Sequence, residues 1–183
     1  MSQSARIETL DPEAYIQGEL RSDTRHEYVA GQLFAMVGAS RRHNAITLNI
    51  ATLLRDQLSG TPCQVYMADV KVRIEAADAF YYPDVVVGCA ADDDNDYYLT
   101  KPRLIVEVTS PSTETTDRRE KFFAYRRIPE LTDYLLVSQE GRAVEHLIRD
   151  DGEWTFSLYK GGETIGIDSL DATINIDDLY RGT

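Results

Sequence analysis

The chain has 183 residues, 43% hydrophobic and 27% charged, an ordinary globular balance that predicts one domain over residues 1–183 with a core needing no disulfide or metal support. A net charge of −12 argues against broad, non-specific adhesion to nucleic acid. Cys63 and Cys89 have no Cys-x-x-Cys or Cys/His cluster around them, which makes a zinc site improbable and predicts two buried thiols rather than redox chemistry.

The leading residues carry acids throughout and no apolar run, and no later stretch approaches the roughly 20 apolar residues of a membrane span. A cytoplasmic, reducing location is the expectation. Neither a repeat nor a long linker divides the chain.

Asp11-Pro12-Glu13 reads as an N-cap with proline in the first turn, opening a short helix to about Glu19. Tyr28 to Phe34 alternates around Gly31, the pattern of a tight hairpin. From 41 to 58, Ile46, Ile50, Leu53, Leu54 and Leu58 recur at helical spacing, with Ser40 as cap and Gly60 beyond the end.

Val70, Val72 and Ile74 alternate with charged residues, predicting a strand with one buried face. Val85-Val86-Val87 and Leu104-Ile105-Val106 are continuous runs, predicting central strands covered on both faces. The acidic stretch 92–96 lacks the spacing of a calcium loop and reads as a solvated connection. A second helix is expected from about Thr113 to Arg127, halting ahead of Pro129. Asp133 to Ser138 and Ala143 to Ile148 then read as a hairpin, and Trp154 to Tyr159 as a further strand. This order predicts an α/β fold, a mixed β-sheet flanked by helices.

Basic residues concentrate where the chemistry does. Residues 101–127 hold seven basic against four acidic side chains, a local +3 that leaves −15 for the remainder. Any phosphate-facing surface is expected there.

Asp84 opens one buried run and Glu107 closes the other, so both carboxylates fall at strand ends among apolar residues, where an unpaired charge is costly. Lys121 shares a helical stripe with Ala124, Tyr125 and Ile128 and can reach the same pocket. Two acids suited to Mg²⁺ and a lysine that orients an attacking water make a coherent phosphodiester-hydrolysis site. Each residue also has a plainer role: Asp84 as a turn or strand-edge aspartate after Pro83, Glu107 paired with Arg103 or another basic residue at the sheet edge, Lys121 paired with Asp117. Glu27 reads as a third acid near the site or as the exposed face of a hairpin strand, and His43 as a helix-start histidine or a catalytic one. Ser110 and Ser112 lack a nucleophile elbow and read as caps.

Tyr82-Pro83-Asp84-Val85-Val86-Val87, the run 104–113 and Asp117-Arg118-Arg119-Glu120-Lys121 together resemble the signature of the Uma-two family, in the PD-(D/E)XK nuclease superfamily. The likeness extends to Tyr125, to Pro129-Glu130-Leu131 and to the strand at Asp133, and upstream to Glu27, Gly31 and His43. It implies a restriction-endonuclease-like core and a Mg²⁺-dependent DNA endonuclease, with Mn²⁺ as an alternative ion, acting as a homodimer. Asp84 and Glu107 would be metal ligands, joined by the backbone carbonyl of Val108; Lys121 would act on the water and Glu27 in support. Where the wider superfamily has a lysine two positions after its glutamate, this chain has Thr109, and Lys121 is the expected substitute. A non-catalytic interaction module on the same fold, or a hydrolase of another phosphate ester, remain the alternatives.

Overall fold

The computed structural model describes residues 10–110 and 116–183. Helix α1 (Pro12–Glu19) starts where Asp11 accepts a hydrogen bond from the Ala14 amide at 2.8 Å. Strands β1 (His26–Val29) and β2 (Gln32–Ala35) form the expected hairpin. Its tip places both Ala30 and Gly31 at positive φ, 48° and 84°, the geometry that a two-residue turn of matching twist requires.

Helix α2 (Arg41–Gln57) is capped by Ser40, whose hydroxyl accepts from the His43 amide at 3.0 Å. Five strands follow: β3 (Gln64–Met67), β4 (Lys71–Ile74), β5 (Ala79–Tyr81), β6 (Val85–Gly88) and β7 (Tyr98–Leu99). Strand β8 (Pro102–Thr109) leads to a π-helical turn, Thr116–Lys121, that continues directly into α3 (Phe122–Tyr125). The predicted second helix is thus present as a widened turn plus a short α-helix, its proposed start at Thr113 lying outside the described residues. The long hairpin strands β9 (Asp133–Ser138), β10 (Ala143–Asp150) and β11 (Glu153–Lys160) come next. A C-terminal hairpin of β12 (Thr164–Ile167) and β13 (Ala172–Asn175) runs into α4 (Ile176–Leu179).

The strands make one six-stranded sheet in the order β11-β10-β9-β8-β6-β3 and one five-stranded sheet in the order β2-β1-β5-β4-β7. Each contains a single parallel pairing, β8 with β9 and β4 with β7, so both are mixed. The six-stranded sheet is the middle layer. Val85, Val87, Leu104 and Val106 point to one side and pack on Ile46, Ile50 and Leu54 of α2 and on the C-terminal hairpin. Val86, Ile105, Tyr134 and Leu136 point to the other, against Val72 and Ile74 of the five-stranded sheet and Tyr125 of α3. This two-sided burial is why the runs 85–87 and 104–106 are apolar without alternation. On the outer face of the five-stranded sheet, α1 closes a small cluster of Tyr15, Tyr28 and Phe80.

Two details depart from the sequence reading. Strand β4 buries Lys71 as well as Val72 and Ile74, because α1 covers the face on which Lys71 stands; its ammonium lies 5.1 Å from the Tyr82 ring centre. Cys63 and Cys89 are joined as a disulfide rather than buried as separate thiols. The β3–β6 ladder pairs Gln64 with Gly88, so the next residues outward are cross-strand neighbours, which apolar context alone does not reveal.

A second buried polar group joins the C-terminal hairpin to the sheet. His146 is wholly buried, and its Nε2 lies 2.7 Å from Asp133 Oδ1; an ionised carboxylate only accepts, so Nε2 carries the proton. Ser169 and Thr132 donate to Asp133 Oδ2. Burial raises the Asp133 carboxyl pKa, and the hydrogen bonds from His146, Ser169 and Thr132 overcome that to leave it below the usual carboxylate value.

Two outcomes follow from this packing. Leu54→Ala, truncating a fully buried side chain of α2, should cost about 2–5 kcal/mol in urea denaturation. A carboxyl whose folded pKa is depressed contributes stability that is present above its unfolded pKa and is lost as pH falls through the folded one. Asp133→Asn should therefore be less stable than wild type at neutral pH, with the two stabilities converging as pH drops below about 4. Parallel curves would show that Asp133 carries no such linkage.

Candidate active site

The β6–β8 ladder pairs Val85 with Val106 in antiparallel register. One step further, Asp84 lies opposite Glu107. Alternation turns Glu107 to the face that looks toward the five-stranded sheet and α3, while Asp84, just ahead of β6, sits at the strand end within reach of β8 and α2. Glu107 stands inside β8 rather than at its end, since the strand runs on to Thr109. Only 3% of Glu107 is exposed, so its charge needs partners.

Lys121 supplies the first of them. Its Nζ is 3.4 Å from Glu107 Oε1 and 2.9 Å from Glu27 Oε1, which places one buried ammonium between two carboxylates from different sheets. The widened turn carries Lys121 to this point, and Tyr125, four residues on, donates its phenol to Glu107 Oε1 at 3.1 Å. Complete burial, followed by the neighbouring Glu107 charge, pushes the Tyr125 phenol well above its ordinary pKa, so it stays a donor. Glu27 is steadied by the Tyr82 amide at 3.4 Å.

Asp84 is held from two sides. Its Oδ2 accepts from the Val108 amide at 2.7 Å, and His43 Nε2 lies 3.2 Å from the same oxygen. The cap at Ser40 sets where α2 begins and so brings His43, in its first turn, to the end of β6. Thr109, on the same face of β8 as Glu107, turns its hydroxyl to the Val137 carbonyl at 3.5 Å.

Lys121 thus joins Glu107 and Glu27, and strand register sets Asp84 beside this constellation, with its own contacts to the Val108 amide and His43. Among the described residues, the basic partner found for Glu107 is Lys121 rather than Arg103. Asp117, the alternative partner of Lys121, and Ser112 lie outside the residues whose side chains are described. Tyr125 is the contributor to which sequence reasoning, with the residue on the packed stripe and within the family likeness, gives no site role; its i,i+4 spacing from Lys121 is the signal that could have placed it here.

Three carboxylates and one ammonium leave a local charge of −2, which a divalent cation would offset. Among the described residues no three or more His, Cys, Asp and Glu form a ready-made metal cage. A pair of cross-strand carboxylates does suit Mg²⁺, which keeps several waters and takes one or two protein carboxylates.

Comparisons place this geometry among known proteins. The protein chain slr1290 of Synechocystis sp., called uncharacterized, is 38% identical over 183 residues, covering 99% of this chain and 96% of its own. A second Synechocystis protein, sll1609, also called uncharacterized, is 31% identical over 161 residues, covering 86% and 91%. The crystal structure of a "putative nuclease belonging to DUF820" from Anabaena variabilis superposes with a TM-score of 0.73 over 87% of this chain and 91% of that one. At 13% identity that likeness establishes the restriction-endonuclease-like fold alone. Residues 12–177 match the model of the Uma2 family, described as "Putative restriction endonuclease", and the chain belongs to that family.

Proposed function

We propose that the chain is a divalent-metal-dependent nuclease that hydrolyses DNA phosphodiester bonds at the Asp84, Glu107 and Lys121 site. The observation that carries this reading is the Lys121 ammonium held 3.4 Å from Glu107 and 2.9 Å from Glu27, with Asp84 set beside them by strand register. Such an arrangement has a purpose in phosphoryl chemistry, where charge develops on oxygen and a water must be aimed at phosphorus. As a structural ion pair it would be an expensive one.

Asp84 and Glu107 would hold the ion, and Val108, whose amide already faces Asp84, is the backbone position whose carbonyl would join them. A bound Mg²⁺ or Mn²⁺ would supply positive charge to the phosphate and lower the pKa of the attacking water. Lys121 orients that water through its N–H groups, while Glu27 fixes the ammonium and Tyr125 fixes Glu107. His43 and the Val108 amide keep Asp84 turned toward the site. The water gives up one proton to solvent as its oxygen bonds to phosphorus, the bridging P–O bond breaks, and the departing oxygen takes up a proton from solvent. We place the enzyme in the cytoplasm, as the sequence reading expects, and take its active form to be a homodimer, which follows from the family likeness.

The metal site is tested by calorimetric titration of Mg²⁺ or Mn²⁺. Wild type should bind saturably and Asp84→Ala or Glu107→Ala should not. Absence of wild-type binding, even with a phosphate-backbone mimic present, would transfer the site to a non-catalytic interaction module. Lys121→Ala separates chemistry from binding. Removing the ammonium makes the pocket more negative, so metal affinity should hold or rise while plasmid cleavage falls by about 10²- to 10⁴-fold. A variant that keeps its cleavage rate would remove Lys121 from the mechanism.

A further inference from the structure

Beside the constellation is an open cleft of about 580 Å³ that the mechanism does not use. Its walls are largely apolar, with Ala79 and Tyr81 on the sheet side and Ala124 on the helix side. Glu27 belongs to both places: its carboxylate holds Lys121 and also lines the cleft. The cleft is thus continuous with the reacting centre.

Two phenylalanines stand in its lining, from different elements. Phe34 lies directly opposite Glu27 in the β1–β2 ladder, so ring and carboxylate rise from one face of the hairpin. Phe123 comes from α3. Phe34 is 50% exposed and Phe123 59%. Neither ring belongs to the buried clusters, whereas adjacent Phe122 packs inward on Tyr134 and Trp154 at 5.6 and 5.2 Å between ring centres. The Arg126 guanidinium lies 5.6 Å from the Phe123 ring centre, and Arg127, which lines the cleft, donates to the Ala76 carbonyl. A pocket of this size, mostly apolar, with two exposed rings and a cation behind one of them, matches the way flat aromatic ligands are held.

Resting on the nuclease reading of the adjacent site, we propose that this cleft receives an unpaired nucleobase next to the scissile phosphate, so that the substrate is single-stranded or locally unpaired DNA. Base stacking on exposed aromatic rings gives affinity without sequence readout and without many phosphate contacts. That suits a chain of net charge −12, for which the two phosphate backbones of a long duplex are a poor match. A neutral base also meets no repulsion from Glu27 or from Glu120 on the helix side of the lining. A second copy of the chain seated in the cleft is the competing occupant.

The experiment uses a short single strand carrying one 2-aminopurine and the same sequence fully paired, titrated into the intact protein without metal. The single strand should bind at least about 10-fold tighter than the duplex. Phe34→Ala and Phe123→Ala should each weaken it by about 5- to 100-fold and restore probe fluorescence. Leu158→Ala, removing an exposed apolar side chain on β11, should leave binding unchanged. Equal or tighter duplex binding, or wild-type affinity in both phenylalanine variants, would overturn the proposal. So would sedimentation showing that these variants dissociate a dimer while affinity per subunit stays constant. Cleavage of the single strand and of plasmid with metal is scored separately. Cleavage that persists with phenylalanine-independent binding removes the cleft and leaves the nuclease; phenylalanine-dependent binding without cleavage of any DNA does the reverse.

Discussion

The antiparallel pairing of β6 with β8 is the constraint on which the site depends. A slip of one residue would carry Glu107 to the opposite face of the sheet, into the apolar layer against α2. The register is secured because every inward residue of the two runs is buried on one face or the other. Packing energy at the neighbouring apolar positions therefore sets Asp84 opposite Glu107.

That placement creates a debt of desolvated negative charge, and the surrounding structure is arranged to offset it. Lys121 lies between Glu107 and Glu27, Tyr125 and the Tyr82 amide donate to the two carboxylates, and Asp84 is turned by His43 and the Val108 amide. These partners come from α2, the two sheets and the segment after β8. No single element owns the site, so it exists only when both faces of the six-stranded sheet are assembled. The same logic recurs in milder form at Asp133, where His146, Ser169 and Thr132 tie the C-terminal hairpin to the interior strands β9 and β10.

The cleft beside the site fits this economy of charge. A strongly acidic protein can attract a polyanion only where positive charge is local, and the basic residues of 101–127 are gathered along β8 and the helical segment that follows it. In the proposed base-binding role, exposed aromatic rings would add affinity that does not depend on phosphate contacts.

What the sequence determined by itself were features with a local cause: the caps at Asp11 and Ser40, the Ala30-Gly31 turn, the amphipathic spacing of α2 and the doubly buried runs at 85–87 and 104–106. The candidate residues Asp84, Glu107, Lys121 and Glu27 were legible too, through buried charge and the family signature. Only the tertiary structure decided their partners. That Lys121 bridges two sheets, that Tyr125 is a donor rather than mere packing, and that Cys63 meets Cys89 across β3 and β6 all depend on strand order and register between distant segments. Short strands such as β5 and β7 and the C-terminal hairpin were missed for the same reason: their residues become strands by pairing with others, and a periodicity of two over three or four residues carries too little signal to announce it.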